Sequence, residues 1–140
     1  MSNSDTSLVT VSVFVAAPPA RAWQVFTDPR YIVEWNFASA DWCCPRASAD
    51  LRPGGDFNHR MEAKDGSMGF DMAGTYDVVE PERHLGFVFG DRRADVTFTA
   101  EAGGTRVSES FVPETTFPRE MQQAGWQSIL DNYKRRAEAP

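Results

Sequence analysis

The last long segment of the chain, residues 116–136, restricts the possible fold more than any other part of the sequence. At about 100° per residue, its large apolar side chains occupy one half of a helix and its polar side chains the other. The apolar half holds Met121, Gly125, Trp126, Ile129, Leu130 and Tyr133. Thr115 or Thr116 can cap this helix, and Pro118 suits its first turn. So wide an apolar face requires a concave partner, and it serves either as a plain core helix or as one wall of a cavity.

Alternating apolar residues upstream of this helix predict an antiparallel sheet of about six strands. The first strand covers residues 9–15, and a strand near residues 85–89 lies between two hairpins. The Asp65-Gly66 pair is the strongest hairpin signal, and Gly103-Gly104 is a second one. With two-residue loops, the first hairpin pairs 61 with 70, 60 with 71 and 59 with 72, and the second pairs 100 with 107, 98 with 109 and 96 with 111. Each hairpin then has one polar and one apolar face, as in a sheet with one side in water.

Two short helices are predicted between the first strand and the rest of the sheet. Pro18 and Pro19 can open the first of them, because a proline in the first helical turn leaves no required hydrogen bond unmade. The Asp28-Pro29 pair ends this helix and starts a second one that runs through Trp35.

Residues 36–49 show no regular period, although they carry Trp42 and both cysteines of the chain. We therefore expect a loop that folds down over the domain. Cys43 and Cys44 are adjacent and cannot readily bridge each other, so the sequence has no disulfide framework. This usage favours a reducing compartment and predicts a cytoplasmic protein.

The length of 140 residues corresponds to one domain, which we expect over residues 8–137, after a flexible segment 1–7. The net charge of −6, without a basic cluster, argues against a nucleic-acid partner. No segment is long and apolar enough to span a membrane. His59 and His84 do not have the spacing of zinc ligands, and neither glycine pair lies in a phosphate-binding motif. The sequence therefore predicts neither a metal nor a cofactor.

Two titratable residues interrupt the apolar face of the predicted sheet. Glu109 lies opposite Phe98, where a buried carboxyl group requires a partner, a raised pKa or water. It is either a structural group near the rim of the sheet or a polar anchor in a ligand cavity. His59, among apolar neighbours, is either a satisfied core histidine or a ligand-binding group. No catalytic constellation such as G-x-S-x-G is present.

Several short motifs resemble the START-like (helix-grip, SRPBCC) superfamily, in the branch related to the C-terminal domain of the activator of Hsp90 ATPase. They are Val25-Phe26-Thr27-Asp28-Pro29, Trp35-Asn36, Asp41-Trp42, Gly54-Gly55-x-Phe57, Met61-Glu62-Ala63-x-Asp65-Gly66-Ser67, Gly74-x-Tyr76, Glu109-Ser110-Phe111 and Gly125-Trp126-x-x-Ile129-Leu130. The resemblance implies an α+β helix-grip fold, in which a curved antiparallel sheet wraps around the C-terminal helix. Relatives use the cavity between sheet and helix for lipids, polyketides and other hydrophobic molecules, and a few are cyclases.

We therefore predict a non-catalytic protein that binds a small hydrophobic molecule, such as a lipid or an aromatic or polyketide-like compound. The expected cavity residues are Trp35, Trp42, Phe57, His59, Met61, Phe70, Met72, Phe87, Phe98, Glu109, Phe111, Met121 and Trp126, with Trp35 and Trp42 at the mouth. One alternative is an enzyme of the cyclase or aromatase type that uses Glu109 or His59 as a general acid or base. The other is a protein-interaction or chaperone-accessory module. The protein is expected to be a monomer or a homodimer.

Overall fold

The computed structural model describes residues 8–140, and it consists of one curled antiparallel sheet that holds a long helix on its concave side. In chain order the elements are β1 (Val9–Val15), α1 (Pro19–Thr27), α2 (Pro29–Ile32), β2 (Trp42–Ala49), β3 (Asp56–Ala63), β4 (Gly69–Glu80), β5 (His84–Phe89), β6 (Arg92–Glu101), β7 (Gly104–Phe111) and α3 (Arg119–Glu138). The strand order is β1-β7-β6-β5-β4-β3-β2. The predicted helix-grip α+β fold is thereby confirmed. The predicted flexible segment 1–7 lies outside the described residues.

The hairpin between β3 and β4 has the predicted register. His59 pairs with Met72, Arg60 with Asp71 and Met61 with Phe70. Gly66 has a φ of 79°, a left-handed conformation that glycine adopts without steric cost. Arg60 Nη1 lies 3.6 Å from Asp71 Oδ2 on the outer face. Turn chemistry and the alternation of side chains therefore determine this part of the sheet together.

The hairpin between β6 and β7 differs from the predicted register by two residues. Val96 pairs with Glu109 and Phe98 with Val107, so the loop residues are Ala102 and Gly103. Gly104 belongs to the strand, where it pairs with Glu101. Only glycine fits there, because a Cβ atom at this position would lie only 2.1 Å from the backbone oxygen of Val15. A shift of two residues keeps every side chain on its face. Glu109 is therefore on the concave side as predicted, although it lies opposite Val96 instead of Phe98.

The sheet contains a seventh strand, because residues 42–49, predicted as part of a loop, form β2 at the edge of the sheet. Pro45 lies within this strand, and the register against β3 shifts between Cys43 and Arg46. The bulge and the proline remove the alternating pattern that reveals a strand in a sequence. An edge strand tolerates proline because one of its sides needs no ladder hydrogen bonds.

The two short helices form where predicted, although α2 ends at Ile32 and the predicted helix ran through Trp35. Asp28 caps α2 by accepting a hydrogen bond from the backbone N–H of Arg30 at 2.9 Å. Trp23 and Phe26, on the buried face of α1, pack edge-on against Phe98 with ring centroids 5.3 and 5.7 Å apart.

The C-terminal helix α3 begins at Arg119, later than the predicted residue 116, because Pro118 occupies the N-cap position. Its first turn buries Gln122 rather than Met121, which is 59% exposed. The Gln122 amide bonds both backbone groups of Glu114 and the carbonyl of Phe117 at 2.8–2.9 Å. A polar side chain thus takes the inward position that the helical period predicts for an apolar one.

The polar side of α3 runs along β1, the other edge of the sheet. Three of its side chains donate hydrogen bonds to carbonyl groups of this strand. They are Gln123 to Thr10, Gln127 to Ser12 and Lys134 to Phe14, at 3.5, 3.2 and 2.5 Å respectively. The helix therefore meets the sheet through two surfaces, an apolar one inside and a polar one at this edge.

Candidate functional site

A cavity of about 300 Å³ lies between the concave face of the sheet and the three helices. This volume is at the lower end of the range for small-molecule sites, which is about 300–1,000 Å³. Its lining is mostly aromatic and aliphatic, with side chains from β3 to β7 on one side and from α1, the α2 region and α3 on the other. The cavity is therefore the candidate functional site.

A connected series of aromatic rings forms the sheet side of the cavity. The ring of Phe57 is 5.3 Å from that of Phe87, Phe87 is 5.7 Å from Phe89, and Phe89 is 6.0 Å from Trp126 of α3. Gly74 permits this arrangement, because a Cβ atom there would lie 2.8 Å from the Phe57 ring. The absence of a side chain at Gly74 lets the Phe57 ring lie across β4.

The mouth of the cavity is at the end of the sheet where β3 turns into β4 and β5 into β6. Because neighbouring strands are antiparallel, these two turns lie at the same end. Phe70, which lines the cavity next to the first turn, is 52% exposed. Arg92, next to the second turn, forms an ion pair with Glu114 at 3.7 Å. Buried residues of α1 and the α2 region, Phe26 and Ile32, line the cavity on its helical side.

His59 lines the cavity from β3, and only one of its ring nitrogens has a partner. Asn36 Nδ2 lies 3.0 Å from Nδ1. Nε2 is buried without a hydrogen bond. Burial lowers the pKa of this imidazole to about 4, so the ring is neutral at physiological pH.

Two further polar groups lie in the cavity wall. Glu109 on β7 is 8% exposed, and burial raises the pKa of its carboxyl group to about 8. Tyr76 on β4 is 3% exposed, and burial raises the pKa of its hydroxyl group to about 12. Neither side chain has a hydrogen-bond partner among residues 8–140. The cavity thus contains three polar groups that the described chain leaves unsatisfied, which is uncommon for buried groups.

Nine of the thirteen predicted site residues line this cavity. They are Trp35, Phe57, His59, Met61, Phe70, Met72, Phe87, Glu109 and Trp126. Trp35 does not lie at the mouth as predicted, because it is 4% exposed and its indole N–H donates to the backbone oxygen of Val25 at 2.9 Å. The sequence correctly indicated which strand faces are apolar, and most of the lining follows from those faces.

The other four predicted residues lie outside the cavity lining. Phe98 packs against the rings of α1, and Phe111 is fully buried beneath Trp126, with the two rings stacked at 3.7 Å. Trp42 is on the edge strand β2, with its ring 5.9 Å from that of Phe70. Met121 projects away from the cavity because Gln122 holds the inward position in that turn.

Ten lining residues were not among the predicted ones, and four of them show what the sequence could and could not indicate. Tyr76 follows Phe70 and Met72 at even spacing along β4, and Phe89 follows Phe87 along β5, so alternation alone places both on the concave face. Arg92 and Asn36 lie at the end of a turn and after a helix, where no periodicity indicates direction. These two lining residues could be identified only from the three-dimensional structure.

The described residues contain no group of three or more His, Cys, Asp or Glu side chains that could hold a metal ion. Both cysteines are free, and burial raises the pKa of Cys44 to about 11, which opposes thiolate chemistry. None of the helices in residues 8–140 is long and apolar enough to cross a membrane.

A family model described as "Activator of Hsp90 ATPase homolog 1-like protein" matches residues 16–138. The solution structure of an AHSA1-like protein from Aeromonas hydrophila is 44% identical in sequence, has a TM-score of 0.89 and is matched over 94% of this chain and 92% of that one. A protein from Cytophaga hutchinsonii is 43% identical, with a TM-score of 0.80 and coverage of 91% and 89%.

A protein from Nitrosomonas europaea shares the fold at 20% identity, with a TM-score of 0.83 and coverage of 99% of this chain and 97% of that one. No curated protein sequence matches this chain significantly. The comparisons therefore establish the family and the fold.

Proposed function

This chain belongs to the activator of Hsp90 ATPase homolog 1-like family, and on that basis we propose that it binds one small hydrophobic molecule in the cavity between sheet and helix. The helix-grip fold is consistent with a ligand-binding or accessory module. The observation that carries the proposal is an aromatic cavity of about 300 Å³ in whose wall three side chains each have a donor group without a hydrogen-bond partner among residues 8–140. Apolar walls with a few convergent polar groups are characteristic of small-molecule sites.

The ligand would lie along the ring series of the sheet, with Ile129 and Trp126 of α3 on its other side. Aromatic side chains supply a large contact area with little conformational entropy to lose on binding. His59 and Glu109 would orient its polar groups. We further propose that the protein acts in the cytoplasm as a monomer or homodimer, in keeping with its unpaired cysteines, and that nucleic acid is not its partner.

A second candidate function is catalysis of the cyclase or aromatase type. It is favoured by the buried position of Glu109 in the cavity wall, where burial raises the pKa of its carboxyl group to about 8. A general acid is most effective when its pKa is near the working pH. The variant Glu109→Gln separates the two functions, because it should abolish turnover in an enzyme, whereas in a binding protein it should change only the affinity for the ligand.

Native mass spectrometry of freshly purified protein, followed by extraction and identification of any adduct, tests the proposed function. The matched variants are Met72→Trp and Met68→Trp. Met72 lines the cavity, whereas Met68 is 63% exposed in the neighbouring turn. The larger indole at position 72 should fill the cavity and reduce adduct occupancy at least tenfold, since it displaces the ligand from its contact surface. Met68→Trp should retain the adduct.

Two results would contradict the proposal. One is an adduct that persists at the same occupancy on Met72→Trp. The other is a wild-type protein that remains without adduct even after incubation with a total organic extract of the host cells. Thermal unfolding of each variant serves as the control for folding.

A further inference from the structure

We propose that the cavity selects neutral molecules that carry oxygen acceptors, such as carbonyl, ester or ether groups, because His59, Tyr76 and Glu109 carry three hydrogen-bond donors that residues 8–140 leave unsatisfied, in a mostly apolar wall. This inference rests on the proposed function and specifies the class of ligand. An entirely apolar molecule would leave all three donors buried without partners, which is costly.

The donor at His59 follows from its contact with Asn36. Asn36 Nδ2 belongs to an amide NH₂ group, which can only donate hydrogen bonds. The imidazole Nδ1 at 3.0 Å is therefore the acceptor. The single proton of the neutral ring is therefore on Nε2. That nitrogen is buried and has no partner within residues 8–140. It needs an acceptor, which a ligand can supply once the imidazole turns toward the cavity that the residue lines.

The hydroxyl group of Tyr76 and the carboxyl group of Glu109 both hold their protons near neutral pH, since burial raises the pKa of each. Both are thus O–H donors. A missing acceptor for a buried donor costs more than an unused lone pair on a group that is otherwise bonded. The ligand consequently has to contribute acceptor atoms rather than further donors.

The three donors are distributed across the cavity instead of forming a cluster. His59 is on β3, Tyr76 on β4 and Glu109 on β7, and three strands separate the first of these from the last. None of the three hydrogen-bonds to another. A ligand with two or more separated oxygen atoms would match this arrangement better than a ligand with one polar end.

Charge explains why the preferred ligand is neutral. Near neutral pH the groups inside the cavity, His59, Tyr76 and Glu109, are uncharged. The two charged lining residues, Arg92 and Glu114, are at the mouth and pair with each other at 3.7 Å. No described cation inside the cavity is available to an anionic ligand, and an ion would lose its hydration without compensation.

The test compares two probes of nearly identical shape, fluorene and 9-fluorenone, in which a carbonyl group replaces one CH₂ group. Quenching of tryptophan fluorescence at pH 6.5 measures both affinities. Wild-type protein should bind 9-fluorenone about five to ten times more tightly than fluorene, as expected for one hydrogen bond made in a buried site.

The variants His59→Phe, Tyr76→Phe and Glu109→Leu each remove one donor. At least one of them should abolish the preference for 9-fluorenone, so that the ratio of the two affinities falls to about one. Tyr31→Phe is the matched control, because Tyr31 lies outside the cavity lining and its hydroxyl contacts Arg21. Glu109→Gln keeps an N–H donor at the same place and should retain the preference.

Equal affinities for the two probes in wild-type protein would overturn this inference and leave the proposed function intact. So would a preference that survives all three donor-removing variants. If neither probe binds, the molecule recovered by native mass spectrometry decides the question. A neutral oxygen-bearing compound supports the inference, a hydrocarbon or an anion overturns it, and the absence of any adduct contradicts the proposed function itself.

Discussion

At pH 8, the variant Glu109→Gln should be more stable than the wild-type protein by about 4 kcal/mol, because a glutamine amide does not ionise when the chain unfolds. In the folded protein burial raises the pKa of Glu109 from 4.5 to about 8. Between these values the unfolded chain has lost this proton while the folded chain retains it. The free energy of unfolding then falls as the pH rises, by about 1.4 kcal/mol per pH unit.

His59 has the opposite effect over part of the same range. Burial lowers its pKa from 6.5 to about 4, so below pH 6.5 the unfolded chain binds a proton that the folded chain does not. This contribution makes stability rise with pH up to about 6.5. The two effects nearly cancel between pH 5 and 6.5, and above that only the effect of Glu109 continues. We expect wild-type stability to be flat to pH 6.5 and then to fall by about 1 to 2 kcal/mol by pH 8.

Urea denaturation at pH 5, 6.5 and 8 measures these changes. Glu109→Gln should show no fall above pH 6.5. His59→Leu should show a fall that begins at pH 5, because the opposing contribution is gone. Cys44 does not interfere, since its raised pKa affects stability only in alkaline solution. A wild-type profile that rises from pH 6.5 to 8, or one that Glu109→Gln leaves unchanged, would show that this carboxyl group is solvated in the folded protein.

The variant Phe111→Ala should destabilise the protein by about 3 to 5 kcal/mol. Phe111 is fully buried on β7, and the indole of Trp126 stacks on its ring at a centroid distance of 3.7 Å. Removal of the ring leaves a void beneath Trp126 that rigid strands on both sides cannot close. β7 lies between β1 and β6, so the backbone at Phe111 is hydrogen-bonded on both edges and has little freedom to collapse.

Phe70→Ala is the matched control for this prediction. Phe70 is also on a strand of the concave face, but it is 52% exposed at the mouth of the cavity. The same truncation at Phe70 should lower the free energy of unfolding by about 1 kcal/mol or less, because about half of this side chain is already in water. Equal losses in the two variants, measured by urea denaturation, would indicate that Phe111 is not the packed residue that its burial implies.

The sheet was predictable wherever alternation and turn chemistry agree. The Asp65-Gly66 turn determines the register of β3 against β4, and the apolar faces of six strands follow from a period of two. The Gly103-Gly104 pair was misassigned because its two glycines have different roles. Gly103 has a φ of 83° in the turn, whereas Gly104 makes room for Val15. The sequence shows two glycines without distinguishing conformational need from steric need.

The sequence predicted the apolar face of the sheet and the two titratable residues on it. It did not predict which side chains of that face line the cavity. Whether an aromatic side chain lines the cavity or packs behind it depends on a contact from another element. Trp126 covers Phe111, and α1 covers Phe98. The position of the proton on the His59 ring likewise depends on Asn36, which approaches Nδ1 from the segment after α2. Such contacts between distant segments have no signature in the local pattern.

The protection of both sheet edges has a consequence for self-association. An uncovered edge strand is a template on which another chain can add a strand, and this addition is how many proteins begin to aggregate. Here side chains of α3 occupy carbonyl groups of β1, while Pro45 and a bulge interrupt β2. Both edges of this curved sheet are therefore poor templates for the addition of a strand from another chain.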